Sequence, residues 1–382
     1  MGMGQAACPI HGAALYRSPV PDLLFEDVRD ARVEDVRPFL ENPEAAGAGT
    51  TLHRVTVFLT YRCNLDCPYC KTIARGAEEL NKSPQKRVTY TFEMFEKMLL
   101  ALRQHEIRHI HFTGGEATLV KDLPAMVRVA KSRGIAYASI TSNGTMPFRT
   151  YAGLVDAGMD EIRISIDALA PDMGDALAGR RGAWRRTVAL LRELAAHRDG
   201  VNGRRFFLVA NTVVGLRNRE RLADIVRFLL SIQPDDIKLI TEVQMKGSLG
   251  DFPGAEAMLR EIESLLEGVP KEAFPLLRRK ILTVFAPESI GLEGVAAPPG
   301  EKWRCYIPMT ERTVDGVNYY PCSVYLREGG DPIGATADSP QEQIRKTAAF
   351  VRKGDCLSDP ICRRYCLHCT REFNISANLA RK

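Results

Sequence analysis

The chain has 382 residues, of which 45% are hydrophobic and 26% charged, enough for one large core and a smaller appended unit. Its net charge of +5 comes from Arg and Lys scattered among acids rather than gathered into a basic stripe, so nucleic acid is not a favoured partner. No apolar run approaches the roughly 20 residues that span a bilayer. The longest, Phe206 to Leu216, is broken by Asn211 and Thr212, and Met1 to Tyr16 lacks the basic-then-apolar order of a secretory signal. The expected address is cytoplasmic, with no membrane partner, where ten cysteines imply metal rather than disulfides.

Residues 1–50 form an N-terminal extension punctuated by Pro19, Pro21, Pro38 and Pro43, with Cys8 and His11 as a distant pair of possible ligands. From 51 to 254 short β-branched runs alternate with longer helical patterns, the signature of βα units around a parallel sheet. The spacing predicts strands at Arg54 to Thr60, His109 to Thr113, Ala136 to Thr141, Glu161 to Ile166, Phe206 to Val214 and Asp236 to Thr241. Helices are predicted at Thr91 to Gln104, Leu123 to Arg133, Phe148 to Ala157, Ala183 to His197 and Arg219 to Leu230, with Gly134 and Gly158 as C-caps. The fold class is therefore α/β, a partial (β/α)6 TIM barrel whose chemistry belongs at the C-terminal ends of its strands. Residues 255–299 read as two helical stretches and a Pro/Gly linker, and residues 300–382 as a small cysteine-rich domain.

Phe58 to Cys70 reads FLTYRCNLDCPYC, which puts Cys63, Cys67 and Cys70 on one loop directly after the first strand. Three thiolates can hold three corners of an iron-sulfur cube and leave the fourth iron open to a small molecule. A structural zinc would want a fourth nearby Cys or His, and the sequence offers none there.

This C-x3-C-x2-C loop resembles the radical SAM superfamily. The resemblance implies a [4Fe-4S] cluster on Cys63, Cys67 and Cys70, with S-adenosylmethionine at the open iron. It extends to the second strand, which ends in Thr-Gly-Gly-Glu116: Gly114 and Gly115 allow close backbone approach, and Glu116 would meet the methionine amino group. Ala117 stands where some relatives carry Pro. Ser142 and Asn143 at the end of the third strand, and Ser165 in the fourth, are similar to segments that hold the cofactor's ribose and carboxylate. Tyr69 resembles the aromatic residue bordering the adenine. Strand periodicity puts Arg163, Ser165 and Asp167 on one face, with His111 and Glu242 on corresponding faces of their strands, so His111, Arg163 and Glu242 are candidate substrate or catalytic residues.

Beyond the linker come Cys305, Cys322, Cys356, Cys362, Cys366 and Cys369. Asp315-Gly316, flanked by β formers, predicts a hairpin that brings Cys305 and Cys322 together. This region resembles the auxiliary-cluster domains called SPASM and, in shortened form, twitch. The twitch form implies one cluster on Cys305, Cys322, Cys366 and Cys369. The SPASM form implies two, with Cys305, Cys322 and Cys366 on one and Cys356, Cys362 and Cys369 on the other, although Lys353 stands where a further Cys belongs. Asp355, Asp359, His368 or substrate would then complete each set, and two clusters are the expectation. A zinc site in this region is the competing assignment.

The resemblance implies an enzyme that cleaves S-adenosylmethionine reductively and abstracts a substrate hydrogen, driven by a one-electron reductant such as flavodoxin or ferredoxin. Oxidation of a small molecule is the expected outcome, because about 50 residues before the barrel are too few for the leader-binding domain that many peptide maturases carry. A peptide or protein side-chain maturase is the alternative. An iron-sulfur electron carrier or sensor is the alternative of another class.

Overall fold

The structure is a computed structural model that describes residues 33–40, 51–70, 88–198, 200–242, 252–285, 290–292, 294–295 and 301–380. Six βα units alternate as the sequence pattern requires: β1 (Thr51–Phe58), β2 (Glu106–Thr113), β3 (Tyr137–Ser142), β4 (Glu161–Ser165), β5 (Phe207–Val214) and β6 (Asp236–Thr241). After an N-terminal helix α1 (Val33–Leu40), the helices are α2 (Phe92–Ala101), α3 (Leu123–Ser132), α4 (Phe148–Ala157), α5 (Pro171–Ala178), α6 (Ala183–His197) and α7 (Leu222–Ile232). Of these, α1 and α5 are not among the elements predicted. Gly158 caps α4 in the left-handed region, the conformation that favours glycine there.

Strand periodicity sorts the barrel into two environments. Val55 and Val57, Ile110 and Phe112, and Ile162 and Ile164 join one hydrophobic core with the surrounding helices. The alternate positions, Arg54, Thr56, His109, His111, Glu161 and Arg163, are buried and polar, so the barrel interior is a polar chamber. At its base Phe207 and Val209 pack on Leu276. Leu276 opens on α9 (Pro275–Phe285), which follows α8 (Ala255–Leu265). The fully buried Asp236 carboxylate accepts the backbone N–H groups of Leu276 at 2.9 Å and Leu277 at 3.2 Å, fixing the start of α9 against β6.

Nine strands form one sheet in the order β6-β5-β4-β3-β2-β1-β7-β8-β9. The predicted hairpin is β7 (Glu311–Val314) and β8 (Asn318–Tyr320), followed by the short β9 (Gly334–Ala335). Its first strand pairs in parallel with β1, in register Arg54↔Glu311 to Val57↔Val314, so the cysteine-rich segment continues the barrel's own sheet. The remaining helices are α10 (Ser323–Arg327), α11 (Pro340–Lys353), α12 (Pro360–Tyr365) and α13 (His368–Ala380). A second core gathers Tyr306, Met309, Val351 and Phe373 with Val36, Phe39 and Leu40 of α1, so the described part of the N-terminal extension belongs to the C-terminal unit. Among the described residues, no helix is long and apolar enough to cross a membrane.

Burial raises the Asp236 carboxyl to about 7 from its ordinary 3.8. The folded state then holds a proton that the unfolded chain has released between about pH 4 and 7. Its contribution is complete at low pH and is lost as the pH rises through that window. Chemical denaturation at pH 4.5 and 7.5 should therefore show a smaller loss of stability with rising pH in Asp236→Asn than in the natural chain, whereas equal losses would contradict the assignment.

Candidate functional site

The first cysteine loop is clamped from beneath by the two glycines. Gly115 N–H donates to the Thr60 carbonyl at 2.6 Å and Glu116 N–H to the Arg62 carbonyl at 2.8 Å. A Cβ on Gly114 would overlap the Thr60 carbonyl, and one on Gly115 the Arg62 carbonyl, so only glycine permits this approach. Glu116 is 1% exposed and accepts from Thr118 N–H and Oγ1, Ser142 Oγ and Asn143 N–H. Burial raises its pKa against those four donors. The carboxylate thereby ties the ends of β2 and β3 together. Ser142, buried, also pairs with Tyr151 Oη at 2.7 Å.

Asn143 points the other way. Its amide donates to Asn64 Oδ1 at 2.7 Å and to Cys63 Sγ at 3.7 Å, while Leu65 N–H donates to the same sulfur at 3.4 Å. Donors aimed at a cysteine sulfur are the outer-shell support that metal-bound thiolates need. Burial pushes the Cys67 thiol up to about 12, with Cys70, Asp167 and Cys63 adding to the shift, and raises Cys63 too. Thiols held protonated this way become thiolates when a cation displaces the proton.

Beside this loop runs a cleft lined by Cys67, Tyr69, Asn143, Ser165, Asp167 and Trp184, so the structure brings three of the expected cofactor residues together with one of the expected cluster ligands. Tyr69 Oη donates a short hydrogen bond to Asp167, whose other oxygen accepts Val213 N–H at 2.7 Å. Burial raises the Asp167 carboxyl to about 6. Next to Ser165 in the ladder stands Asn211, 4% exposed, whose Oδ1 has no hydrogen-bond partner among the described residues. Sequence reasoning met Asn211 only as an interruption of an apolar run. Its place in the inner period of β5 was the signal that could have found it.

The three substrate candidates sit differently. Arg163 forms a short buried ion pair with Glu161. His111 bonds Ser139 Oγ at 2.7 Å and Thr141 Oγ1 at 3.3 Å; burial first, then Arg163, Arg54, His109 and Lys238, drive its pKa well below 6.5 and keep it neutral. Glu242 follows β6 at the barrel mouth and lies over Gly215, where an added Cβ would strike its carboxylate.

In the second set, Cys305, Cys322, Cys356, Cys362 and Cys366 all line one cavity, which Arg54 and Glu311 also border. Its neighbours Cys305 and Cys362 hold the Cys356 thiol well above the usual thiol range, while Cys305 lies below it. Cys322 caps α10 by accepting Tyr325 N–H at 3.4 Å, and Asn374 donates to Cys305 Sγ at 3.6 Å. Thiols that the resemblance assigns to two separate clusters thus border the same cavity: α11 and the turn after it return Cys356 toward Cys305, where Cys356 N–H donates to the Trp303 carbonyl at 2.7 Å. Of the two aspartates considered as extra ligands, Asp355 accepts Trp303 and Leu357 N–H, while Asp359 caps α12 through one oxygen and accepts Tyr325 Oη at 2.9 Å through the other. Lys353 is the last residue of α11. Cys8, His11 and the side chains of His368 and Cys369 lie outside the described residues. Among the described residues no three His, Cys, Asp or Glu side chains converge on a single-ion position.

Two tyrosines join the sets. Asp315 Oδ2 accepts Tyr61 Oη and Tyr320 Oη, both at 3.2 Å, linking residues two positions before Cys63 and Cys322.

Residues 57–229 match the radical SAM superfamily. The chain is 29% identical over 196 residues to the PqqA peptide cyclase of Bradyrhizobium diazoefficiens, covering 50% of this chain and 47% of that protein. It is 30% identical over 199 residues to the PqqA peptide cyclase of Rhodopseudomonas palustris, with the same coverage. It therefore spans about half the length of the curated relatives it matches. Among solved structures, Streptococcus suis SuiB bound to precursor peptide SuiA superposes with a TM-score of 0.57 at 15% identity, covering 82% of this chain and 70% of that one. The anSMEcpe enzyme with bound AdoMet and Cp18Cys peptide gives 0.52 at 16%, covering 86% and 97%. At these identities the superpositions establish a shared fold.

The clamp generates a direct test. Gly115→Ala should push the Arg62 carbonyl and the cysteine loop away, lowering iron after anaerobic reconstitution by about four atoms per chain. Gly153→Ala, whose Cβ would meet nothing within 4 Å, should keep the full complement. Full iron in both variants would contradict the clamp.

Proposed function

Residues 57–229 are a radical SAM domain, and from that premise we propose that this chain cleaves S-adenosylmethionine reductively and modifies a peptide. The observation that carries the first half is the clamped Cys63–Cys67–Cys70 loop: three thiols on one turn of chain, with backbone and amide donors on Cys63 and with Cys67 lining a cleft. An all-thiol set with one corner unfilled suits a [4Fe-4S] cluster that leaves an iron for a ligand. When bound, the cluster and the sulfonium supply a 5′-deoxyadenosyl radical able to abstract a substrate hydrogen.

The chain's own residues hold, orient and shield. Cys63, Cys67 and Cys70 hold the iron, and the Tyr69–Asp167 bond fixes the far side of the loop to β4. Ser165 and Asn143 offer polar contacts to the cofactor, Trp184 and Leu177 supply apolar cover, and the unfilled Asn211 Oδ1 takes a hydroxyl or ammonium donor. Neutral His111 and the Arg163–Glu161 pair line the polar chamber in which a target C–H would be positioned, with Glu242 at its mouth.

The second thiol set is read as one auxiliary cluster in a shortened, twitch-like unit, a reading supported by the five described thiols all lining one cavity. A one-electron acceptor beside the barrel suits an oxidative outcome.

Relatives support the peptide substrate. Both cyclases are named for the PqqA peptide, and SuiB and anSMEcpe were each solved with a peptide bound. The expectation of a small-molecule substrate gives way to that of a peptide on this ground.

Anaerobically reconstituted protein, given dithionite and S-adenosylmethionine, should form 5′-deoxyadenosine, and Cys67→Ala should not. No product above a blank would sink the enzyme reading. Deuterium from side-chain-labelled peptides should appear in the 5′-deoxyadenosine, whereas transfer from labelled alcohols or amino sugars alone would return the substrate to the small-molecule class.

A further inference from the structure

A group of arginines borders the first cysteine loop on the protein's outer surface. The connection from α5 to α6 reads Gly179-Arg-Arg-Gly-Ala-Trp-Arg-Arg-Thr187, and Arg180, Arg181, Arg185 and Arg186 are all exposed. The segment is fastened to the loop: Arg180 Nη1 donates to the Asn64 carbonyl at 2.7 Å, and Asp66 N–H donates to the Ala178 carbonyl at 3.0 Å. Gly179 meets the Asp66 carbonyl so closely that a Cβ would overlap it. Arg62, also exposed, extends the cationic surface onto the loop itself, one residue before Cys63.

Arg185 and Arg186 lie in the first turn of α6, which carries no acidic residue. Cations there oppose the helix dipole and lower helix stability. Their placement on an exposed face is therefore not explained by helix stability alone. Three carboxylates face the group. Asp175, beside Arg185 and Arg186, is engaged by Gly182 N–H at 2.6 Å and Trp184 N–H at 2.9 Å, while Asp66 and Asp172 are exposed at its edge. Among the described residues, five cations stand against three acids, one of them already bonded to backbone, which gives a positive surface beside the loop.

We infer that this arginine surface docks an acidic one-electron carrier protein and thereby delivers the electron to the Cys63–Cys67–Cys70 centre. The inference rests on the radical SAM reading, in which an electron must enter from outside. In the step, a carrier flavin passes from hydroquinone to semiquinone as it gives up one electron, and the cluster takes that electron, passing from the 2+ to the 1+ state. Opposite charge on the two faces speeds encounter and orients it, an effect that salt screens.

The test uses the full reconstituted chain and reduced bacterial flavodoxin as the probe, mixed anaerobically while semiquinone formation is followed. Arg181→Glu with Arg185→Glu and Arg186→Glu should slow the second-order rate by roughly tenfold or more at low ionic strength, a difference that shrinks as salt rises. The corresponding triple Lys variant should stay near the natural rate. Iron content and dithionite-driven 5′-deoxyadenosine should be unchanged, which separates failure of this inference from failure of the enzyme reading. If the charge reversal itself lowers iron, the triple Gln variant is read by the same criteria. An unchanged flavodoxin rate overturns the docking assignment, and so does a raised peptide KM with an unchanged rate, which would give the surface to the substrate.

Discussion

Parallel pairing of β7 with β1 is the contact on which both thiol sets depend. It makes the segment after the barrel a seventh parallel strand of the same sheet, so the two cysteine regions share one rigid frame. The pairing is reinforced across the strands by the buried Arg54–Glu311 ion pair at 3.8 Å, and at the strand ends by Asp315, which accepts two backbone N–H groups of its own turn and two tyrosine hydroxyls. Arg327 of α10 lies over the Phe58 ring, 5.4 Å from its centroid, adding a contact between the end of β1 and the helix that Cys322 starts. Groups so tied have fixed separations, which a route for single electrons requires.

The polar barrel interior follows from the same constraint. A parallel sheet with helices on one side buries Val55, Ile110 and Ile164 outward, and its other face needs another filling. Here that filling is Arg163 against Glu161, Arg54 against Glu311, and two imidazoles sharing the Ser139 hydroxyl. Buried ion pairs of this kind add little net stability, because desolvation offsets their attraction.

Most of this architecture was legible in the sequence where the signal is local. Two-residue and helical periods located all six barrel strands and the helices from Phe92 to Ile232 apart from Pro171–Ala178, and Asp315-Gly316 located the hairpin. The three-thiol spacing and the paired glycines marked the loop that the structure clamps. What sequence could not show depends on contacts between distant segments. The Tyr61–Asp315 bond spans 254 positions, α1 packs with α13, and the return of Cys356 to Cys305 is set by the length of α11 rather than by cysteine spacing. Asn211 was hidden because one polar residue in an apolar run reads as an interruption until its strand has an inside and an outside.

We therefore propose two metal centres on one sheet, an open one held by Cys63, Cys67 and Cys70 and a single auxiliary one beside β7. Counting iron and sulfide in the anaerobically reconstituted variant that combines Cys63→Ala, Cys67→Ala and Cys70→Ala tests it most directly. About four irons per chain should remain, one auxiliary cluster's worth. About eight would establish two auxiliary clusters and contradict the shared cavity, and fewer than about one would remove the auxiliary centre altogether.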